Sequence, residues 1–389
     1  MKQRWQSALV LLLLLLAGGA YFFQDNLRLM FFGPNGQGEA LPGIRSSEMA
    51  TDKDEGPAIE VVAENLAIPW EVEFLSDGSL LVTERPGELV RIFPDSRESV
   101  TIDGVEHVGE GGLLGMALHP DYQRNHWLYL YFTTNTGNGL TNRIERYVFD
   151  EDNNSLSGKV VIIEGIPGAQ FHDGGRIAFG PDDLLYVATG DAGDQNSAQD
   201  TTSLAGKILR LNDDGSPADG NPFGNEVYSY GHRNPQGLAW DSEGRLWSSE
   251  HGPSGLQTGN DEINLIVAGG NYGWPTIKGQ QTREGMISPV IESGSTTTWA
   301  PGDAAVVGET VFFAGLRGVS LYSAEINGEQ LTNLTSHLTG EYGRLRSVVT
   351  DPSGEWLYLT TSNTDGRGDP AENDDRLIRV RVSLFFSKK

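Results

Sequence analysis

Six similar segments recur along this 389-residue chain, and their spacing constrains the fold more than any other feature. Each segment contains a short run rich in leucine, β-branched and aromatic residues, a composition typical of β-strands. Successive runs start 46 to 65 residues apart, and they cover 79–84, 127–132, 184–189, 245–250, 310–314 and 356–361. Such spacings are typical of four-stranded propeller blades that carry inserted loops.

Turn residues and composition favour the same architecture. Four of the six runs follow short stretches of Asp, Ser, Pro and Gly, which we interpret as hairpin turns: 76–78, 180–183, 241–244 and 351–354. The chain has 50 glycines and 18 prolines and no long amphipathic helical pattern, so we expect very little helix. The sequence therefore predicts an all-β, six-bladed β-propeller over residues 58–385, with a ligand site near the central channel.

Charge and cysteine content exclude several classes of function. The formal net charge is −25, and nucleic-acid binding requires clustered Lys and Arg, so we expect no nucleic-acid partner. An anionic ligand would have to be bound by locally concentrated arginines. The chain has no cysteine, which excludes disulfides, thiolate nucleophiles and zinc–sulfur sites.

The N-terminal segment has the layout of an export signal. Lys2 and Arg4 precede an apolar run at residues 8–23, and small residues follow its leucine-rich part. We interpret residues 1–23 as a signal peptide or a membrane anchor, because the run is short for a membrane span. Residues 24–57 lack periodicity and are predicted to be a flexible linker. The protein is expected to be periplasmic or exported, with residues 8–23 as a potential membrane tether.

Several polar residues stand out as candidates for chemistry. His172 begins a glycine-rich loop, where an imidazole could act as a general base or simply bond to loop carbonyls. Arg233 and Asn234 lie in a loop before the fourth unit's strands, and their alternative role is an ion pair between blades. Arg344 and Arg346 are two residues apart, so they are expected on one side of a strand.

The stretch 230–275 also carries oxygen ligands for a hard metal ion. Gly252 and Pro253 lie in a turn whose backbone carbonyls suit Ca²⁺, and Asp261 and Glu262 supply carboxylates nearby. Four further aspartates are either ligands or ordinary turn residues: Asp191, Asp194, Asp213 and Asp214.

These motifs, in this order, resemble the soluble sugar dehydrogenases that depend on pyrroloquinoline quinone (PQQ), the glucose/sorbosone dehydrogenase family. The similarity extends from about Ile59 to Val382. It rests on the segments 68–70, 109–115, 119–121, 172–176, 189–191, 206–210 and 230–275. The resemblance implies a six-bladed propeller that oxidises aldose sugars at the anomeric carbon to lactones, with PQQ and Ca²⁺ as cofactors and an unidentified electron acceptor.

The resemblance also implies roles for individual residues. His172 matches the base that takes the proton of the anomeric hydroxyl. Arg233 and Asn234 match residues that contact cofactor and substrate, with Arg233 expected to orient the substrate. Arg344 and Arg346 match the pair that binds the carboxylates of PQQ.

The remaining implied roles concern metals and one further cation. Gly252 and Pro253 match carbonyl ligands of a Ca²⁺ that polarises the quinone. Glu262 and Tyr272 match a second, structural calcium site. Arg317 falls where the family has a basic or small residue near the cofactor.

Two positions depart from the soluble glucose dehydrogenases. Glu110 stands in the first glycine-rich loop where those enzymes have glutamine, so an acid lies at an expected cofactor-binding position beside an anionic cofactor. Protonation, contact with a metal or a different rotamer would accommodate it. His251 replaces a glutamine beside the calcium turn, as in aldose-type members. Two alternative functions remain from the sequence: a calcium-dependent lactonase-type hydrolase and a non-catalytic binding propeller.

Overall fold

The fold is a ring of six antiparallel sheets in a computed structural model that describes residues 43–44, 57–253 and 259–386. Blade 1 contains β3 (Pro69–Phe74), β4 (Leu80–Glu84), β5 (Glu88–Ile92) and β6 (Arg97–Thr101). Blade 2 contains β7 (Leu113–Leu118), β8 (Trp127–Asn135), β9 (Leu140–Asp150) and β10 (Ser155–Pro167). Blade 3 contains β11 (Ile177–Phe179), β12 (Leu185–Thr189), β13 (Lys207–Leu211) and β14 (Val227–Tyr230).

The other three blades follow the same order from the inside of the ring outwards. Blade 4 contains β15 (Pro235–Trp240), β16 (Leu246–Glu250), β17 (Glu262–Ile266) and β18 (Ile291–Glu292). Blade 5 contains β19 (Pro301–Val307), β20 (Thr310–Gly315), β21 (Ser320–Asn327), β22 (Gln330–His337) and the short β1 (Gly43–Ile44), which is parallel to β22. Blade 6 contains β23 (Leu345–Thr350), β24 (Trp356–Thr361), β25 (Leu377–Arg381) and β2 (Ile59–Ala63).

The six runs found in the sequence are the second strands of the six blades: β4, β8, β12, β16, β20 and β24. These strands are almost entirely buried because each blade is covered on both faces by its neighbours. The prediction of a six-bladed, all-β propeller is confirmed. Helix within the described ranges is restricted to α1 (Tyr122–Asn125) and two short 3₁₀ segments, Gln195–Gln199 and Val382–Leu384.

Apolar side chains pack between neighbouring blades. The described residues form six hydrophobic clusters, and each joins one pair of adjacent blades around the ring. The inner strand β23 contacts β3, so the last blade packs on the first. Ring closure also joins the two ends of the domain, because β2 pairs with β25 inside blade 6.

Predictions for the N-terminal segment fall on residues 1–23 and 24–57, and these lie outside the described residues except for 43–44 and 57. The domain limits at residues 58 and 385 likewise stay predictions. Within the described portion, no helix combines the length and the apolar character needed to cross a bilayer.

Candidate active site

A cavity of about 380 Å³ opens at one end of the propeller. Most of its walls are loops that connect successive blades or that follow the second strand of a blade. The lining residues are Glu110, Phe171, His172, Gln195, Arg233, His251, Gly252, Pro253, Asp261, Trp274, Lys278, Thr298, Ala300, Leu316, Arg317, Arg344 and Arg367. Loops from separate blades converge here, as the propeller architecture predicts.

His172 lies on the cavity wall with both ring nitrogens engaged. Its backbone has a φ of 63°, a left-handed conformation that a non-glycine residue adopts infrequently. Its Nδ1 is 2.7 Å from Oδ1 of Asp191, and its Nε2 is 2.8 Å from Nη2 of Arg233. Because Asp191 is ionised, it accepts a hydrogen bond from Nδ1–H of His172. The proton of the neutral imidazole is then on Nδ1, and its lone pair is on Nε2.

Asp191 is a partner of His172, and this differs from the metal-ligand role considered for it from the sequence. The backbone N–H of Gly193 donates to its Oδ1 at 2.8 Å, and the indole N–H of Trp274 donates to its Oδ2 at 2.8 Å. Burial alone would raise the pKa of Asp191, but the hydrogen bonds and the adjacent His172 hold that pKa below its ordinary value. The carboxylate is therefore ionised and held in a fixed orientation.

The other three aspartates considered as ligands belong to turns. Asp194 caps the 3₁₀ segment Gln195–Gln199 by accepting the N–H of Asn196. Asp214 accepts the N–H and hydroxyl of Ser216, as in a typical Asx turn. Neither Asp213 nor Asp214 lines the cavity. Of the two roles that the sequence left open for these three aspartates, metal ligand or turn residue, the structure shows the turn residue.

Arg233 and Asn234 lie between β14 and β15, the passage from blade 3 to blade 4. The backbone N–H of Arg233 donates to Glu250, and its Nη1 donates to the carbonyl of His251 at 3.3 Å. Asn234 does not line the cavity; its side-chain oxygen accepts the N–H of Gly174 at 3.0 Å. The buried Nδ2 of Asn234 has no hydrogen-bond partner in the described part of the chain.

Arg344 and Arg346 are both buried, but only Arg346 lies in a strand, because β23 begins after Arg344. Arg344 lines the cavity, and its Nη2 is 2.9 Å from Oδ2 of Asp365. Arg346 lies outside the lining and donates to Oε1 of Gln236 at 2.6 Å. Burial, together with the positive charge of Arg85, lowers the pKa of Arg346 to about 9, so anionic charge nearby would stabilise its cationic form.

Arg317, the fourth cation predicted to bind the cofactor, lines the cavity from the loop after β20. Burial lowers the pKa of its guanidinium, and the carboxylate of Asp261 opposes that change. Arg317 therefore belongs to the same wall as Arg344.

Gly252 and Pro253 line the cavity, and Asp261 holds their turn in place. Oδ1 of Asp261 accepts the N–H of Gly252 at 2.8 Å. Its Oδ2 accepts hydrogen bonds from three further donors: the hydroxyl of Thr298 and the N–H groups of Trp299 and Ala300. Asp261 thus has a structural role in the turn whose carbonyls were predicted to bind Ca²⁺.

Glu262 and Tyr272 line a second cavity of about 10 Å³, next to Glu250. Glu262 accepts the N–H of Gly279 at 3.1 Å, and burial with the negative charge of Glu250 raises its pKa well above the ordinary value. The phenol of Tyr272 donates to the carbonyl of Leu265 at 2.6 Å. No cluster of three or more His, Asp or Glu side chains with metal-binding geometry occurs among the described residues.

Glu110 is bound from two sides. Its Oε2 accepts the backbone N–H of His172 at 2.9 Å, and its Oε1 is 2.8 Å from Nη1 of Arg367. Burial would raise the pKa of this carboxyl, but Arg367 and the His172 N–H hold it well below the ordinary range. An ion pair with Arg367 thus accommodates the acid, and protonation is not required.

Comparison with known proteins decides the family. The model of the glucose/sorbosone dehydrogenase family matches residues 66–379. The chain belongs to the glucose/sorbosone dehydrogenase family. As a member of that family the protein is an oxidoreductase, and the resemblance indicated by the sequence motifs is confirmed.

Two curated members of the glucose/sorbosone dehydrogenase family show how far the similarity extends. Quinoprotein glucose dehydrogenase B from Acinetobacter calcoaceticus is 36% identical over 277 residues, which cover 62% of this chain and 57% of that protein. Aldose sugar dehydrogenase YliI from Escherichia coli is 30% identical over 341 residues, which cover 79% of this chain and 91% of that protein. The chain thus matches little more than half the length of the Acinetobacter protein.

A solved structure of the family has the same fold. The PQQ-bound form of aldose sugar dehydrogenase from Streptomyces coelicolor is 44% identical and superimposes with a TM-score of 0.77, covering 83% of this chain and 97% of that one.

The donor set of the cavity fits the anionic quinone of these relatives. Five cationic side chains line the cavity, against the two carboxylates Glu110 and Asp261; the cations are Arg233, Lys278, Arg317, Arg344 and Arg367. Nε of Arg346 and Nδ2 of Asn234 are buried donors without a partner among the described residues. Carboxylate and carbonyl oxygens of a ligand are the groups that such a site binds best.

Sequence reasoning missed several residues of this site, Lys278 among them, and two of the missed residues share one loop: Arg367, which lines the cavity, and Asp365, which pairs with Arg344. Both lie in the loop after β24, so they occupy the same place in blade 6 as Arg317 in blade 5 and Gly252 in blade 4. The rule that loops after the second strands face the site would have found them.

Proposed function

We propose that the protein oxidises aldose sugars at the anomeric carbon to lactones, as a PQQ- and Ca²⁺-dependent dehydrogenase. The proposal rests on family membership and on relatives that include a PQQ-bound aldose sugar dehydrogenase. The observation that carries it is His172, whose ring is held between Asp191 and Arg233 on the wall of a strongly cationic cavity.

His172 is proposed as the base for the anomeric hydroxyl. Asp191 keeps the proton on Nδ1, so Nε2 accepts the proton of the substrate in the place where Nη2 of Arg233 now lies. The negative charge of Asp191 then stabilises the imidazolium that forms. Arg233 turns towards the sugar oxygen and orients the substrate against the base.

The cationic wall is proposed to bind the cofactor. Arg317 and Arg344 line the cavity and suit the carboxylates of PQQ, and Arg346 would add positive charge from outside the lining. When bound, PQQ would supply a quinone able to take up hydride from the anomeric carbon, and Ca²⁺ would supply the charge that polarises it. Asn234 contributes its buried Nδ2, which has no partner among the described residues.

Two calcium positions are part of the proposal. The turn of Gly252 and Pro253, braced by Asp261, would hold the ion that serves the cofactor. Glu262, with Tyr272 and the adjacent Glu250, would hold a structural ion. Burial and then the negative charge of Glu250 raise the pKa of Glu262, and a divalent cation bound there would stabilise the ionised carboxylate.

Residues 1–23 are proposed to export the protein to the periplasm, and they would tether it to the membrane if they are retained. Completing the reaction would require an external electron acceptor.

Ser229, His232 and Glu250 are arranged like a hydrolytic triad, but this arrangement does not support a hydrolase function. Ser229 is 2.8 Å from Nε2 of His232, whose Nδ1 is 2.8 Å from Glu250. All three side chains are buried, so a lactone could not reach Ser229. We interpret the set as support for the backbone of Arg233, which also donates to Glu250.

Reconstitution tests the function. We expect the full chain, loaded with PQQ and Ca²⁺, to reduce a dye with aldoses, and the quinone absorbance to change on binding. His172→Gln should bind PQQ normally and lose about 10²- to 10⁴-fold in kcat, the usual contribution of a general base. Failure of the wild type to bind PQQ would refute the proposal, and lactone hydrolysis without PQQ would favour a hydrolase.

A further inference from the structure

Glu110 changes which hydrogen-bonding groups this site can offer. A glutamine side chain presents an NH₂ donor, whereas an ionised glutamate only accepts. Both carboxylate oxygens of Glu110 are already engaged, Oε2 by the N–H of His172 and Oε1 by Arg367. Any donor to a ligand at this point of the cavity therefore has to come from another residue.

The loop that carries Glu110 holds the His172 segment in two ways. The backbone N–H of Glu110 donates to the carbonyl of Gln170 at 2.9 Å, while its carboxylate accepts the N–H of His172. The two bonds bracket Phe171 and support the left-handed backbone of His172. Loss of the carboxylate would release one of these two bonds next to the proposed base.

Arg367 brings N–H donors to the same place. Its side chain lines the cavity, and its guanidinium carbon lies 6.0 Å from the ring centroid of Phe171. Its backbone N–H donates to Asp365 at 2.9 Å, and Asp365 also pairs with Arg344. A guanidinium carries five N–H groups in a rigid plane, so it can bond to Glu110 and to a ligand at the same time.

We propose that Glu110 and Arg367 act as one unit, in which Glu110 is a positioning residue for His172 and Arg367 is a specificity-determining residue that donates hydrogen bonds to the sugar hydroxyls. The inference rests on the proposed function of the same cavity. The ion pair keeps Glu110 from adding net negative charge beside an anionic cofactor, and it supplies the donor that a glutamine would have provided.

A double-mutant cycle tests the unit in the full chain loaded with PQQ and Ca²⁺. In Arg367→Met, kcat/KM for aldoses should fall by about 10- to 100-fold, mainly through KM, as expected for loss of a charge-assisted hydrogen bond. The double variant Glu110→Gln, Arg367→Met should recover about tenfold over the single Arg367→Met variant, because glutamine accepts from His172 and also donates. Arg124→Met removes an exposed surface arginine and is the matched control.

Two readouts separate this unit from a merely structural role. In Arg367→Met the carboxylate of Glu110 loses its cation, so PQQ should bind more weakly in a quinone absorbance titration. The affinity for PQQ should recover at lower pH, where Glu110 is protonated. Adding Glu110→Gln to this variant should remove the pH dependence. Additive losses in the cycle, or an unchanged KM in Arg367→Met, would overturn the inference. A wild type that binds no PQQ would instead refute the proposed function. If Arg367→Met does not fold, Arg367→Lys still tests the predicted rise in KM, because it loses the planar donor set while it keeps the charge.

Discussion

At the scale of single residues, the site depends on a few buried charges that fix one another. Asp191 orients His172, Glu110 holds the backbone of His172, and Asp261 braces the turn at Gly252. Each carboxylate accepts several hydrogen bonds, which offsets the cost of burying its charge. The proposed base is thus positioned by Asp191 and Glu110, and neither of them exchanges a proton with the substrate in the proposed reaction.

Asp191→Asn should leave the fold intact and remove most of the activity. Asparagine cannot stabilise the imidazolium and does not enforce the tautomer with a proton on Nδ1. We expect kcat to fall by about 10²- to 10⁴-fold, with KM changed much less, in dye-reduction assays of the PQQ-loaded protein. Asp194→Asn, three residues further along the same loop, is the control, and it should keep near-normal kcat. Full activity in Asp191→Asn would contradict the role assigned to Asp191.

Glu110→Gln should change the pH dependence of stability. The pKa of Glu110 is lower in the folded protein than its ordinary value of 4.5, so its stabilising contribution is present above about pH 4.5 and is lost as the pH falls towards the folded-state pKa. Urea unfolding should show Glu110→Gln less stable by about 1–2 kcal/mol at pH 7, and the difference should shrink at pH 3.5. If the two proteins differ in free energy of unfolding by the same amount at both pH values, the ion pair between Glu110 and Arg367 does not stabilise the fold. Asp121→Asn, at an exposed ion pair, should have little effect.

At the scale of elements, two loops of blade 3 bring the proposed base and its partner together. His172 lies in the loop before β11, and Asp191 lies in the loop after β12. Gly190, directly after β12, lies so close to the His172 segment that a Cβ at this position would be 1.7 Å from the carbonyl oxygen of His172. Only glycine permits this approach, which places Asp191 within bonding distance of the imidazole. The strand ends therefore set the geometry of the pair.

Gly190→Ala should displace His172 without unfolding the blade. We expect a loss of about 1–3 kcal/mol in stability and more than about 10²-fold in kcat, because overpacking shifts the base from its partner. Thermal unfolding and steady-state kinetics of the loaded protein measure the two effects. Gly193→Ala is the control, since its Cβ would meet nothing within 4 Å and only its positive φ is strained. Equal kinetic losses in both variants would argue against the steric explanation.

At the scale of the whole molecule, stability depends on closing the ring. Blade 6 takes β2 from the start of the domain and β23, β24 and β25 from its end, so residues more than 300 positions apart share one sheet. An apolar cluster also joins blade 6 to blade 1, including Tyr358 and Val82. The channel end that carries the cavity is formed only when all six blades are in place.

Two truncations should separate the N-terminal segment from the domain. A chain that starts at residue 57 keeps every strand of the six blades except β1, and we expect cooperative unfolding and normal PQQ binding. A chain that starts at residue 65 lacks β2 and exposes the edge of β25. Its Tm should fall by about 10 °C, because each kcal/mol lost costs a few degrees in a domain of this size. Equal Tm values for the two chains would show that strand β2 is dispensable for closure.

The sequence by itself determined the architecture and most of the site. The six apolar runs are the six second strands, because periodic strand patterns and turn residues are local signals. The loop motifs around His172, Arg233, Gly252 and Arg344 identified residues that the fold brings to one cavity. These motifs can be recognised from one sequence because each is contained within a few consecutive residues.

Only the tertiary structure decided the partners. Asp191 looked like a turn residue or a metal ligand and pairs with His172, 19 positions away. Arg367 had no local signal of its own and pairs with Glu110 across 257 positions. Arg346, two residues from Arg344, lies within β23 and outside the cavity lining, whereas Arg344 precedes that strand and lines the cavity. Contacts between blades depend on strand register and ring closure, and these physical constraints involve the whole molecule, which no short stretch of sequence encodes.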